Sequence, residues 1–231
     1  MTQEELYAVM DQTWPAASAK REGPFTLRDG QDGGKRVSAA TCEGAWTPAD
    51  IEAAEAAMEE PLFMIRPGNE ALDAALGTRG YHAVDRTVAY AAPVEALATP
   101  LPPLTAFPHW PPLAVATTLW EEGGIGPNRI AVMERVTTRK SVILGRISDR
   151  PAGVVFVAKH GPVAMFHALE VGPRFRRHGL GRNLLRACAN WAQDEGAATL
   201  SLLVTERNTA ARELFASVGM PVVGQYHYRR R

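Results

Sequence analysis

The chain has 231 residues, of which 46% are hydrophobic and 22% are charged, a composition that is typical of globular proteins with a buried core. Lys and Arg together number 25, and so do Asp and Glu, so no excess charge points to nucleic acid or to an anionic membrane as a partner. The two cysteines, Cys42 and Cys188, are too few for a disulfide framework. We expect a cytoplasmic protein, because no apolar run approaches a membrane span and the first residues do not resemble a secretory signal.

The N-terminal part of the chain predicts alternating helices and strands. Thr2 and Glu5 have the spacing of a capping box, so a helix begins there and ends before Pro15. A second helix begins at Thr47, with Pro48 at its first position. Strand-like runs lie at residues 25–27, 37–41 and 62–65.

The segment after residue 65 has the same pattern as one near the end of the chain. Asn69 is followed eleven residues later by Gly80, and Asn208 is followed by Gly219 at the same interval. Asn favours the start of a helix and Gly its end, so both segments predict a strand, a helix and a second strand. An internal repeat accounts for this pattern, and so does the general preference of Asn and Gly for helix ends.

A proline-rich stretch divides the chain. Seven prolines between residues 91 and 112 disfavour a helix or a central strand, so this stretch predicts a semi-extended linker. We therefore expect an N-terminal domain over residues 1–92, a linker over residues 93–112 and a C-terminal domain over residues 113–231.

The strongest motif lies in the C-terminal part. Strand-like runs at residues 142–144, 154–158 and 164–171 precede a basic segment that ends in Gly179 and Gly181, and an amphipathic helix follows. A glycine turn between a strand and a helix leaves unpaired backbone N–H groups at the positive end of the helix dipole, where a phosphate is favoured. Two glycines alone are equally compatible with an ordinary strand–turn–helix carrying surface arginines.

The full pattern Arg176-x-x-Gly179-x-Gly181 resembles the acetyl-CoA signature of the GCN5-related N-acetyltransferases (GNAT). Residues 208–220 resemble that superfamily's N-x-x-A-x-x-L-Y-x-x-x-G-F, with Phe215 in place of the Tyr. The resemblance covers about residues 141–231 and implies an α/β (α+β) fold with a mixed, mostly antiparallel central sheet flanked by helices. It implies acetyl-CoA as the acyl donor and a primary amine of a small molecule or peptide as the acceptor. The N-terminal domain, which lacks the signature, is then a degenerate relative without a CoA site.

The resemblance also implies the residues that bind acetyl-CoA. Leu169 and Val171 would pair with the pantetheine arm through their backbones, and Asn208 and Phe215 would lie beside the same arm. The pyrophosphate would lie against the backbone and side chains of Arg176, Arg177, His178, Gly179, Leu180, Gly181 and Arg182. No metal is expected.

The proton transfers have several candidate residues. His167 resembles a histidine of the arylalkylamine N-acetyltransferases that is implicated in relaying the amine proton, and a histidine that only fills the strand is the alternative. Glu170 is a second candidate if a bulge turns it to the face of His167. Relatives that acetylate ribosomal proteins have a Glu where Leu203 stands, so that substrate class is in doubt. Because Phe215 has no proton for the leaving thiolate, the candidate donors are water, Tyr226 and Tyr228.

Two other functions are compatible with the sequence. A non-catalytic acyl-CoA sensor would keep the phosphate site and lack the thiolate acid. A purely structural N-terminal part would complete the sheet or form a dimer interface, so a homodimer is one expectation. The expected partner is a small-molecule or peptide amine, with no nucleic acid and no membrane.

Overall fold

The computed structural model describes residues 1–231. Its helices are α1 (Gln3–Thr13), α2 (Lys35–Ser38), α3 (Pro48–Ala56), α4 (Glu70–Thr78), α5 (Val94–Leu97), α6 (Ala114–Glu122), α7 (Pro127–Arg135), α8 (Leu180–Asp194) and α9 (Thr209–Ser217), with one 3₁₀ turn at Pro173–Phe175. Its strands are β1 (Ser18–Glu22), β2 (Phe25–Asp29), β3 (Thr41–Cys42), β4 (Leu62–Ile65), β5 (His82–Pro93), β6 (Ala106–His109), β7 (Lys140–Ile147), β8 (Arg150–His160), β9 (Val163–Val171), β10 (Thr199–Thr205) and β11 (Val222–Arg230). None of the helices combines the length and the apolar character that crossing a membrane requires.

One central sheet organises the whole chain. Its eight strands lie in the order β4-β11-β5-β10-β9-β8-β7-β6, and a small sheet of β1, β2 and β3 lies beside it. All neighbours in the central sheet are antiparallel except β9 and β10, which are parallel. The expected mixed, mostly antiparallel sheet flanked by helices is confirmed.

The N-terminal part of the chain supplies strands to this sheet. β5 lies between β10 and β11 and is hydrogen-bonded to both, so it joins the predicted N-terminal and C-terminal domains. The proline-rich stretch contains the short helix α5 and the edge strand β6, which pairs with β7. Proline is tolerated at an edge because one side of the strand needs no partner. The division into residues 1–92, 93–112 and 113–231 stays a prediction.

Several local expectations can be compared with the structure. Thr2 and Thr47 each form a capping box at the start of a helix, as predicted. The strand predicted at residues 37–41 is wrong: Val37 lies in the single-turn helix α2, and only Thr41 and Cys42 form a strand. Burial of Val37 satisfies its apolar character in one helical turn, and the Ser38 hydroxyl donates back to the carbonyl of residue 34.

Four strands of the sheet are arranged about a local pseudo-twofold axis. The order β4-β11-β5-β10 reads the same in reverse when β4 is exchanged with β10 and β5 with β11. The strand register has the same symmetry. Adding 139 to a residue number in the first segment gives the equivalent residue in the second, and 139 is the interval between the two predicted Asn caps. The pair Ile65 and His227 becomes the pair Val204 and Val88, and both pairs are present. The origin of the N-terminal segment as a degenerate copy stays a prediction.

Two layers of helices cover the sheet. On one face, here called the α8 face, α8 packs Leu184, Cys188 and Ala192 against the strands. The opposite face, here called the α1 face, is covered by α1, α6 and α7, whose apolar side chains bury the other side of the same strands. The central strands are therefore buried on both sides, which explains why they are continuously apolar.

Candidate active site

The site begins where two parallel strands separate. β9 and β10 pair from Val163 opposite Thr199 to Phe166 opposite Leu202, and the pairing ends there. β9 continues to Val171 along β8, and β10 continues along β5, so the two strands diverge. The divergence leaves strand edges whose backbone groups have no partner strand, which is a place where an extended ligand can pair.

A β-bulge in β9 causes this divergence. Phe156 of β8 lies opposite His167 and Val154 lies opposite Glu170, so β9 holds one extra residue in this interval. Ala168 takes up the extra length with a φ of 53°, a left-handed conformation that disfavours a residue with a Cβ. The indole N–H of Trp120 donates to the Ala168 carbonyl at 2.7 Å. The fully buried Trp120 therefore helps to hold the bulge in place.

The bulge also changes which side chains share a face. His167 and Glu170 are three residues apart and would lie on opposite faces of a regular strand. Because they are opposite Phe156 and Val154, two residues of one apolar cluster, both point to the α1 face. The condition under which Glu170 becomes a candidate proton acceptor is thus met.

A row of free backbone N–H groups lies beside the divergence. The chain turns through left-handed conformations at Arg177, with a φ of 67°, and Gly179, with a φ of 79°, and then enters α8. None of the six backbone N–H groups of residues 177–182 donates a hydrogen bond within the protein. A Cβ at position 179 would meet no atom within 4 Å, so the space in front of the turn is open. This is the geometry of an anion site at a helix N-terminus.

The free N–H groups and the diverging strands line one cleft of about 890 Å³. Most of the predicted acetyl-CoA contacts lie in it: Leu169, Val171, Arg176, Arg177, Gly179, Leu180, Gly181, Arg182, Asn208 and Phe215. His178 does not line the cleft, because its ring turns back to the Arg176 carbonyl at 2.8 Å. Of the proposed catalytic residues, His167 and Glu170 line the cleft and Tyr226 does not.

His167 lies in a closed hydrogen-bonded environment. Its Nδ1 is 3.1 Å from Nη1 of Arg36, which can only donate, so Nδ1 is the acceptor. Its Nε2 therefore carries the proton and donates to Thr13 Oγ1 at 2.9 Å. Trp14 stacks on the ring with centroids 4.9 Å apart. Burial, and secondarily the charge of Arg36, hold the pKa of His167 well below its usual value of 6.5, so the ring is neutral.

Glu170 is more accessible than His167. Its carboxylate pairs with Arg176 Nη2 at 3.0 Å, and its side chain is 19% exposed. The Arg176 Nε donates to the Val171 carbonyl at 3.0 Å, which holds the arginine along the edge of the cleft. The close approach of the Glu170 side chain to Gly123, where a Cβ would be 2.5 Å away, requires a glycine at that position.

Tyr226 belongs to a polar network on the α1 face. Its hydroxyl accepts from Arg36 Nε at 3.3 Å and from the Tyr228 hydroxyl at 3.4 Å. Both tyrosines are buried. Tyr226 is therefore connected to His167 through Arg36. Its strand, β11, is separated from the cleft by β5 and β10.

Asn208 and Phe215 fill structural positions at the wall of the cleft. The Asn208 side chain accepts from the backbone N–H of Ala211 at 3.2 Å and so caps α9. Phe215 is buried against Tyr90 and Phe166. The N–H₂ group of the Asn208 side chain makes no hydrogen bond within the protein.

Two residues of the site, Trp120 and Arg36, were not predicted from the sequence. Trp120 contacts the bulge from 48 residues away in the chain, and Arg36 reaches His167 from 131 residues away. An indole N–H in a buried helix predicts some acceptor, but nothing in the sequence identifies Ala168. Arg36 lies in a stretch that was expected to precede a strand, so its side chain had no expected partner.

Comparisons with known proteins agree with this geometry. Residues 108–220 match the model of the Acetyltransferase (GNAT) family. The chain is 23% identical over 238 residues to the uncharacterized N-acetyltransferase YobR from Bacillus subtilis (strain 168), and the match covers 94% of each chain.

Solved structures share the whole fold. A GCN5-related N-acetyltransferase from Kribbella flavida superposes with a TM-score of 0.74 at 16% identity, over 100% of this chain and 96% of that one. A tandem GNAT protein from the clavulanic acid biosynthesis pathway has a TM-score of 0.65 at 16% identity, over 97% of this chain and 86% of that one. The signature, the diverging strands and the family match all lie within residues 108–220, and together they support the assignment of this part of the chain to the GNAT superfamily.

Proposed function

We propose that this protein transfers the acetyl group of acetyl-CoA to the primary amine of a small molecule or a peptide. The observation that carries the proposal is the row of six free backbone N–H groups at residues 177–182, at the mouth of the cleft between β9 and β10. Several N–H groups that converge at a helix N-terminus suit a pyrophosphate, and the exposed arginines around them add positive charge. The family match favours an enzyme over the acyl-CoA sensor.

The strand edge supports the position of the pantetheine arm. Acetyl-CoA supplies an activated acyl group, and the protein has to orient it and to manage two protons. Leu169 and Val171 lie on the part of β9 that has lost β10 as a neighbour, so their backbones are available to an extended arm. The bulge at Ala168 aims this edge into the cleft, because it turns the strand away from β10.

Two observations support Glu170 as the acceptor of the amine proton, directly or through a water. Its carboxylate lines the cleft and has only Arg176 as an ionic partner. His167 has both ring nitrogens engaged and a depressed pKa, so it is a weak base where it stands. We assign His167 the role of a positioning residue at the start of the bulge.

The proton of the leaving thiolate has no tyrosine donor at the wall of the cleft. Phe215 occupies the expected place, and the Tyr226 hydroxyl is buried away from the cleft, where it accepts hydrogen bonds from Arg36 and Tyr228. We therefore assign this proton to water. General acid assistance is worth roughly 10²–10⁴ in rate, so its absence slows the reaction and does not forbid it.

The proposal is tested by turnover. The chain is incubated with acetyl-CoA and a panel of primary amines, and both the acetylated products and the released thiol are measured. We expect product with at least one class of amine and none when the amine is omitted. Stabilisation of the fold by acetyl-CoA without acetylation of any amine would support the sensor instead.

A further inference from the structure

A half-buried arginine on the α1 face has no carboxylate partner. Arg36 lies 3.1 Å from Nδ1 of His167 and 3.3 Å from the Tyr226 hydroxyl, and both of these partners are neutral. Removing a guanidinium from water is costly unless a counter-charge compensates it. Protein stability alone therefore does not explain why a half-buried arginine without a carboxylate partner occupies position 36.

Other half-buried arginines of this chain do have a counter-charge. Arg28 and Arg66, with side chains 10% and 13% exposed, share Asp11. Arg229, with a side chain 17% exposed, pairs with Asp73 at 2.7 Å. The chain thus supplies carboxylates where arginines are structural, and Arg36 is left without one.

Part of the Arg36 guanidinium is free to bind a ligand. Its Nε and Nη1 donate to Tyr226 and His167, whereas Nη2 makes no hydrogen bond within the protein and is not sealed from solvent. The Nη edge of a guanidinium matches the two oxygens of a carboxylate. The two existing hydrogen bonds hold this edge in a fixed orientation, so little side-chain entropy is lost when an anion binds.

The ion pairs of the neighbouring Lys35 do not supply Arg36 with a counter-charge. Lys35 and Arg207 lie on either side of Asp85, at 2.6 Å and 3.5 Å, so one acid faces two bases. With Arg36 included, these side chains carry a net positive charge. A negatively charged ligand group is therefore bound more favourably here than a neutral or positive one.

We propose, on the basis of the proposed function, that the acceptor is an amine that also carries a carboxylate, as an amino acid does, and that Arg36 binds this carboxylate. His167 lines the cleft and lies 3.1 Å from Arg36, so the guanidinium is directly behind the first residue of the bulge, next to the strand edge assigned to the acyl arm. The amine nitrogen forms a bond to the acetyl carbon while the carbon–sulfur bond breaks. One ammonium proton goes to Glu170 or water before the attack. The electron pair leaves with the sulfur as CoA thiolate, and the second proton that the nitrogen loses reaches this thiolate through water.

The test compares amines that differ only in this group. L-Phenylalanine, its carboxamide and phenethylamine form one set, and the same sets are made for small, acidic and basic L-amino acids. For the set that the wild-type chain accepts best, we expect kcat/KM for the acid to exceed that for the carboxamide at least tenfold. The difference is expected in KM more than in kcat, because the carboxylate is bound equally before and during the reaction.

Variants of Arg36 separate binding from folding. In Arg36→Gln the ratio of kcat/KM between acid and carboxamide should fall toward one, and in Arg36→Lys it should fall only in part. Arg129→Gln, which removes an exposed charge near α2, should keep the wild-type ratio and serves as the control. A purely structural role would lower the activity with both substrates and leave their ratio unchanged.

The outcomes distinguish this inference from the function on which it rests. Equal use of acid and carboxamide by the wild-type chain, or an unchanged ratio in Arg36→Gln, overturns the carboxylate site alone. No acetyl transfer to any amine overturns the proposed function and this inference with it. If Arg36→Gln does not fold, Arg36→Lys and the wild-type ratio still decide the question.

Discussion

The two segments related by the pseudo-twofold axis have the same local architecture and different neighbours. Each contains a strand, a helix with Asn at its N-cap position and a second strand that crosses to the partner segment, although only the Asn208 side chain accepts a capping hydrogen bond. Beyond β10 the sheet continues through β9, which diverges and is followed by the turn of free N–H groups. Beyond β4 there is only an isolated bridge between Ala40 and Phe63. The shared architecture therefore builds the sheet, and the elements added on one side build the site.

The largest expected effect tests this contrast directly. Gly179→Glu places a carboxylate in the space in front of the free N–H groups, where it competes with a phosphate and repels it. We expect the affinity for acetyl-CoA to fall more than tenfold, because roughly 1.4 kcal/mol corresponds to a factor of ten and several charge-assisted hydrogen bonds are lost. A thermal-shift titration with acetyl-CoA measures this loss of affinity.

The matched control is Gly80, which follows the C-terminal end of α4 in the segment that has no turn of free N–H groups. Gly80 has a φ of 85°, close to the 79° of Gly179, and a Cβ there also meets no atom within 4 Å. Gly80→Glu should therefore cost similar backbone strain and leave acetyl-CoA binding intact. Equal losses in the two variants would mean that position 179 matters only for folding.

A second expectation concerns the two polar residues that the bulge brings to one face. Glu170→Gln should lower kcat by roughly 10²–10⁴, the usual contribution of a general base, with little change in acetyl-CoA affinity. Glu213→Gln, at another carboxylate that lines the cleft, is the control. His167→Gln should reduce kcat less than Glu170→Gln does. The reverse order would return the role of base to His167.

A third expectation concerns the bulge that distinguishes β9. Trp120→Phe keeps most of the packing and removes the hydrogen bond to the Ala168 carbonyl. Leaving a buried carbonyl unpaired costs about 1–3 kcal/mol, so we expect a lower melting temperature and a kcat reduced about tenfold. Trp191→Phe, on α8, changes a partly buried tryptophan outside the cleft and should leave kcat unchanged. Similar kcat values in all three proteins would exclude Trp120 from positioning the site.

The smallest expected effect is a pH dependence of stability. The pKa of His167 is lowered in the folded state, so the unfolded state binds more protons below pH 6.5. Stability is therefore complete above about pH 6.5 and is lost as the pH falls, by at most about 1.4 kcal/mol per pH unit. Denaturant unfolding at pH 7 and pH 5.5 should show a larger loss for the wild-type chain than for His167→Gln. Identical losses would contradict the proposed tautomer and environment.

Local patterns in the sequence were sufficient for the fold class and for most of the cleft. The signature Arg176-x-x-Gly179-x-Gly181 combines a strand, a glycine turn and a helix within twenty residues, so its geometry follows from neighbours in the chain. The contacts of Tyr226 and Arg36 depend on how distant segments meet, and no local preference encodes them. The strand predicted at residues 37–41 failed for the same reason, because burial of Val37 is satisfied equally by a helical turn and by a strand.

The most direct test of the account is the stoichiometry of binding. The contrast between the two segments predicts that only the turn at residues 177–182 binds the nucleotide, because its six free N–H groups lie at the start of a helix beside the edge where β9 leaves β10. Isothermal titration of the full chain with acetyl-CoA should therefore give one site per chain. Two equivalent sites per chain, or no binding, would contradict it.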